Sequence, residues 1–173
     1  VAIAHVMGAS VEGELGRIGG TEEHISVSAR EATMTDPEEA RCFAAATGVD
    51  ALAIAIGTAH GRYKGTPELD FDRLAAIDHL VPTPIVLHGS SGVPDAAIRR
   101  AVELGVRKIN IDTDGRLVWT RVHREYFLEH PEGFDLRGPG KIFMSEYAKF
   151  IAAKNEKLGS AGELEKVRAF LAG

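Results

Sequence analysis

Cysteine is nearly absent from this 173-residue chain: Cys42 stands alone, so no intrachain disulfide framework holds the fold, and a reducing compartment suits it. Excess positive charge is missing too. Twenty Lys and Arg against 25 Asp and Glu leave a formal charge of −5 without a long basic run, which removes the footprint expected for nucleic acid or an anionic membrane surface. No apolar run approaches the roughly 20 residues of a membrane helix, and the first residues lack the basic-then-apolar pattern of a leader. Aromatics make up 6%; Trp119, Phe127, Phe143, Tyr147 and Phe150 are expected to pack in a core or interface rather than stack on bases. Cys42, in an alanine-rich helical stretch, is expected to pack as well. What remains is globular, 45% hydrophobic and 26% charged, with a small molecule as expected partner and the cytoplasm as expected location.

Short apolar runs alternate with amphipathic stretches. Ala2 to Met7 reads as the tail of a helix stopped by Gly8, followed by a strand over 10–15 in which Glu12 and Glu14 share one face. In a parallel sheet neither face is free, so such a pair needs cations, metal or hydrogen-bond donors. Residues 16–28 read as a polar loop. Thr35 or Asp36 caps a helix with Pro37 at its first position, ending near Gly48. Strand 51–56, helix 69–80, strand 84–87, helix 94–104, strand 108–112 and helix 115–129 follow in regular order. After Pro131 the strands stop: Gly138-Pro139-Gly140 reads as a break, and 141–158 and 163–171 as helices. This predicts one α/β layer structure with parallel strands, residues 1–130 forming β/α units and 131–173 a helical extension of the same domain.

Chemistry concentrates where strands end. Pro84-Ile85-Val86-Leu87-His88-Gly89-Ser90-Ser91-Gly92 is an apolar strand that stops at a histidine and a Gly/Ser turn, and Ala51 to Ile56 followed by Gly57-Thr58-Ala59-His60-Gly61 repeats the design. A lone strand-end histidine is usually a hydrogen-bonded structural residue, but two on adjacent strands of one sheet would converge on a metal. The 88–92 turn and Asn110-Ile111-Asp112-Thr113 together offer amides, hydroxyls and an amide side chain that would hold a phosphate without Lys or Arg. The plainer alternative is a pair of ordinary turns, with Asp112 or Thr113 capping the next helix.

Val11-Glu12-Gly13-Glu14-Leu15-Gly16 with Gly19-Gly20, the stretch from Gly48 to Gly61, Val86-Leu87-His88-Gly89-Ser90-Ser91-Gly92 and Lys108-Ile109-Asn110-Ile111-Asp112-Thr113 occur in the order seen in class II fructose-bisphosphate aldolases, which this chain resembles over most of its length. The resemblance implies a (β/α)8 TIM barrel, of which this chain supplies about the last four units plus C-terminal helices. It also implies zinc-dependent cleavage of fructose 1,6-bisphosphate to dihydroxyacetone phosphate and glyceraldehyde 3-phosphate, in a homo-oligomer. On that resemblance His60 and His88 match two of three zinc histidines and Glu14 a carboxylate beside the metal. Glu22, with Glu23 as the neighbouring possibility, matches the loop acid that moves a proton at the dihydroxyacetone carbon. Gly61, Gly89, Ser91, Asn110, Asp112 and Thr113 match positions around the dihydroxyacetone phosphate, where a monovalent cation (Na+ or K+) often sits, and Arg116 matches a contact to the distal phosphate.

The family's third zinc histidine and the aspartate before it lie on an earlier strand, and none of His5, His24, His79, His123 or His130 sits in such a setting. The expectation is therefore that an N-terminal half precedes Val1 and that this fragment alone is inactive. Asp112 and Arg116 favour fructose bisphosphate over the tagatose bisphosphate handled by close relatives. A non-catalytic half-barrel that keeps only the phosphate loops or serves in assembly is the alternative from another class.

Overall fold

The computed structural model describes residues 1–22, 25–27, 33–61, 63 and 65–172, and of 20–22 and 25–27 the backbone alone. It divides the chain into two compact units, Val1–Thr113 and Asp114–Gly173. The first is built on a four-stranded parallel sheet in the order β1 (Glu12–Leu15), β4 (Ala51–Ile54), β6 (Ile85–Leu87), β7 (Val106–Ile109). Its central strands are the apolar ones: Leu52, Ala53, Ile54, Ile85, Val86 and Leu87 are all buried. Burial on both faces is what a parallel strand requires. Helices α2 (Pro37–Thr47), α3 (Phe71–Leu80) and α4 (Asp95–Glu103) contribute Ala40, Ala44, Leu74, Ile77, Ile98 and Ala101 to the core. Among the described residues β1 and β7 each pair on one side within this sheet. The short α1 (Ala2–Val6) stops before Gly8, as the pattern predicts.

Capping explains the helix starts. Asp36, not Thr35, caps α2, accepting hydrogen bonds from the amides of Glu38 and Glu39, and Gly48 closes the helix in the left-handed region (φ 65°). Thr35 is buried: its hydroxyl donates to the Leu15 carbonyl at 2.5 Å and accepts from the Ala55 amide at 2.8 Å, tying together the ends of β1 and β4. Asp70 caps α3 through the Arg73 amide, so Leu69 precedes the helix rather than starting it.

Elsewhere the expectations need correction. Residues 16–28, read as a loop, contain β2 (Gly19–Glu22) and β3 (Ile25–Val27), which pair antiparallel, while β2 also pairs in parallel with β5 (Ala59–His60). Local composition hid this, because a Gly- and Glu-rich strand gains its stability from its partner across the ladder. β7 begins at Val106, two residues before the expected start. Gly105 turns the chain at φ 118° against Asp78, so the buried Val106 already pairs with Ile85. Cys42 is exposed, not packed.

The second unit is helical, with α5 (Thr113–Glu129) continuing into it, then α6 (Arg137–Leu158) and α7 (Leu164–Ala172). The Gly138-Pro139-Gly140 segment does not break the chain; it lies in the first turn of α6, where the missing proline N–H has no intrahelical acceptor to lose. Gly115 lets α5 approach the Tyr147 ring, and Lys154 pairs with Asp114 at 2.7 Å. Trp119, expected in a core or interface, is 51% exposed in this chain and stacks on His123.

Candidate active site

β6 delivers His88 just beyond its last residue. The His88 Nε2 donates to Glu12 Oε1 at 2.8 Å, and Nδ1 lies 3.7 Å from Glu14 Oε2. Alternation along β1 therefore places both carboxylates on the face expected. The other Glu12 oxygen accepts from Lys108 Nζ at 2.8 Å, and the same ammonium donates to Asn110 Oδ1 at 2.7 Å. Burial pushes the Glu12 carboxyl up, but the hydrogen bonds from Lys108 and His88 together outweigh it and hold it below its ordinary value. Glu12 thus stays ionised between two donors, meeting the need for cations that paired acids in a parallel sheet create.

His60 arrives differently from the expectation of adjacent strands in one sheet. The chain leaves β4, turns through 55–58, and places His60 on β5 in the second, three-stranded sheet. Its ring centroid still lies 6.1 Å from that of His88. Gly20 of β2 is the register partner of His60, so the backbone of the segment carrying Glu22 is hydrogen-bonded to the strand carrying this histidine. The Glu22 side chain, and Glu23 and His24 entirely, lie outside the described residues.

The two histidine-bearing turns touch. Gly89 has φ 64°, and a Cβ there would stand 2.7 Å from the Ala59 carbonyl oxygen, a backbone atom that cannot swing aside. The Tyr63 hydroxyl bridges the same turns, accepting from the Ala59 amide at 2.7 Å and donating to the Gly89 carbonyl at 2.8 Å. Burial pushes the Tyr63 phenol up, opposed by the Ala59 amide. Gly61 (φ 91°) has open space where a side chain would stand.

Among the phosphate candidates, Ser90 is buried and donates to the Leu87 carbonyl, and Ser91 is also buried. The Asn110 amide donates to Leu87 O, extending the β6–β7 pairing by one residue. Asp112 is exposed and immediately precedes α5, which starts at Thr113. Arg116 is exposed and belongs to the second unit. Beside these groups, Lys108 donates to the Asn110 side chain.

The donor set can be tested against zinc. Two ligand atoms on one tetrahedral zinc at about 2.0 to 2.1 Å stand roughly 3.3 Å apart, and two such rings have centroids roughly 5 Å apart. The observed 3.7 Å from His88 Nδ1 to Glu14 and 6.1 Å between rings are each within about 1 Å of those values. Glu12 on Nε2 is the outer carboxylate that commonly orients a metal-binding imidazole, leaving Nδ1 for the ion. Yet among the described residues no three His, Cys, Asp or Glu side chains form a ready ligand group. The residues fit part of a site.

Residues 1–163 match the family model of class II fructose-bisphosphate aldolase. The chain belongs to that family. Among solved structures, this aldolase-family chain resembles the YdjI aldolase from Escherichia coli K12 at 31% identity and TM-score 0.75, over 94% of this chain and 54% of that one. A candidate fructose-1,6-biphosphate aldolase from Coccidioides immitis matches at 27% identity and TM-score 0.84, over 95% of this chain and 57% of the other. The fructose-bisphosphate aldolase from Campylobacter jejuni matches at 25% identity and TM-score 0.68, with 91% and 53% covered. The chain thus spans a little over half the length of these relatives. Among the described residues no helix is long and apolar enough to cross a membrane.

Glu12 carries a signal in the sequence, as one of two acids on the same face of a strand, but its partners His88 and Lys108 sit 76 and 96 residues away. Neither Lys108 nor Tyr63 carries a local signal for its role.

Proposed function

We propose that this chain is part of a zinc-dependent aldolase that cleaves fructose 1,6-bisphosphate to dihydroxyacetone phosphate and glyceraldehyde 3-phosphate. The observation that carries the reading is the His88 imidazole, held by Glu12 at one nitrogen while the other faces Glu14 beside His60. His60, His88 and Glu14 would hold the metal, with a further ligand from chain that completes a (β/α)8 barrel against the edges at β1 and β7. Zinc supplies Lewis acidity at the substrate ketone. Glu12 orients His88, and Lys108 keeps Glu12 charged. Glu22 moves the proton at the dihydroxyacetone carbon. Gly61, Gly89, Ser91, Asn110, Asp112 and Thr113 bind the dihydroxyacetone phosphate, with a monovalent cation (Na+ or K+) beside it, and Arg116 takes the distal phosphate through charge-assisted bonds. Self-association of the full enzyme belongs to the same reading.

Zinc titration of the chain tests the metal, and assay with a complementing N-terminal half tests the reaction. His88→Ala should lower zinc affinity and remove turnover together. Arg116→Ala should raise KM for the bisphosphate about ten- to a hundredfold, the range of a charge-assisted bond of about 1.5 to 3 kcal/mol. Turnover by a zinc-free His88→Ala enzyme would refute the mechanism, equal turnover of the C4 epimer would refute the specificity, and phosphate binding without turnover would favour the non-catalytic module.

A further inference from the structure

Tyr63 has no role in the reading above, yet it touches both turns that carry the histidines. Ala59, whose amide donates to its hydroxyl, immediately precedes His60; Gly89, whose carbonyl accepts from it, immediately follows His88. The ring lies against Gly92, where an added Cβ would stand 3.4 Å from Cδ2, so the phenol is seated on the turn after His88 as well as bonded to it. β5 pairs with β2, and β6 with β4 and β7; among the described residues the two turns share no ladder. The packing of Gly89 on Ala59 is a second direct contact between the same turns.

We infer that Tyr63 is a positioning residue that sets the separation and tilt of the His60 and His88 rings, so that both present to one ligand. The purpose of that placement rests on the metal reading above; its geometry does not. A single hydroxyl that accepts from one turn and donates to the other fixes them at hydrogen-bond length, and a bond between backbone groups next to each histidine leaves the rings little freedom to separate.

Tyr63→Phe keeps the ring and deletes both bonds, while Thr47→Ala, which deletes a hydroxyl bond to the Phe43 carbonyl in α2, serves as a control for general loosening. In the metal-free chain, NMR should show contacts between the two histidine rings that weaken in Tyr63→Phe, with faster exchange of the Ala59 amide, and that persist in Thr47→Ala. Titration with zinc alone should show roughly ten- to a hundredfold weaker binding for Tyr63→Phe, the effect typical of losing a partner that orients ligands. Unmoved rings, zinc affinity equal to the parent's, or an equal effect from Thr47→Ala would overturn the inference. A parent chain that binds no zinc would sink the metal reading instead, and the ring contacts would then decide the role of Tyr63 by themselves.

Discussion

Gly89→Ala is the sharpest test of how the two histidine turns are packed, because Gly61 supplies an internal comparison. Both glycines have positive φ, 64° at Gly89 and 91° at Gly61. A non-glycine residue in the left-handed region costs about 1 to 2 kcal/mol. Its centre lies near φ of about 57°, so backbone conformation alone makes Gly61 the worse place for alanine. Contact reverses the order. A Cβ at Gly89 meets the Ala59 carbonyl oxygen at 2.7 Å and its carbon at 2.9 Å, whereas nothing lies within 4 Å at Gly61. Overpacking of this kind costs about 1 to 3 kcal/mol, giving roughly 2 to 5 kcal/mol for Gly89→Ala against roughly 1 to 2 kcal/mol for Gly61→Ala. The entropy that alanine removes from the unfolded chain is common to both and cancels. Urea unfolding should place the Gly89→Ala midpoint lower than that of Gly61→Ala by on the order of 1 M at an m-value of about 1 to 3 kcal/mol/M. Equal midpoints, or Gly61→Ala as the less stable variant, would refute the close approach of the two turns.

Thr58 is buried with its hydroxyl lacking a hydrogen-bond partner among the described residues, so Thr58→Val should be neutral or stabilise by about 1 kcal/mol in the same urea assay; a loss of more than about 1 kcal/mol would mean that a water or ligand satisfies the hydroxyl. The Asp70 carboxyl is held below its ordinary 3.8 by the Arg73 amide, against burial and with help from the guanidinium. A depressed folded-state value stabilises above the ordinary value and is lost as pH falls through the folded one, so Asp70→Asn should flatten the loss of stability below about pH 4. Parallel acid limbs for parent and variant would contradict it. Asp70→Ala also loses the cap and should cost about 0.5 to 2 kcal/mol at neutral pH by urea denaturation.

By itself the sequence determined the alternation of strands and helices, the proline-marked start of α2, the placement of His60 and His88 where apolar runs give way to glycine, and the shared face of Glu12 and Glu14. These are legible because their causes are local: side-chain period, turn chemistry and orphan amides each act within a few residues. Tertiary structure alone decided the rest. Strands β2 and β3 form through pairing with each other and of β2 with β5, and Val106 enters the sheet early because Gly105 turns against Asp78. Thr35 gave up the cap to bridge two strands. Whether Glu12 meets Lys108, and whether a tyrosine three residues past one histidine reaches the backbone beside another, depends on strand order and register. Those follow from how the whole sheet buries its apolar faces, which no short window of sequence contains.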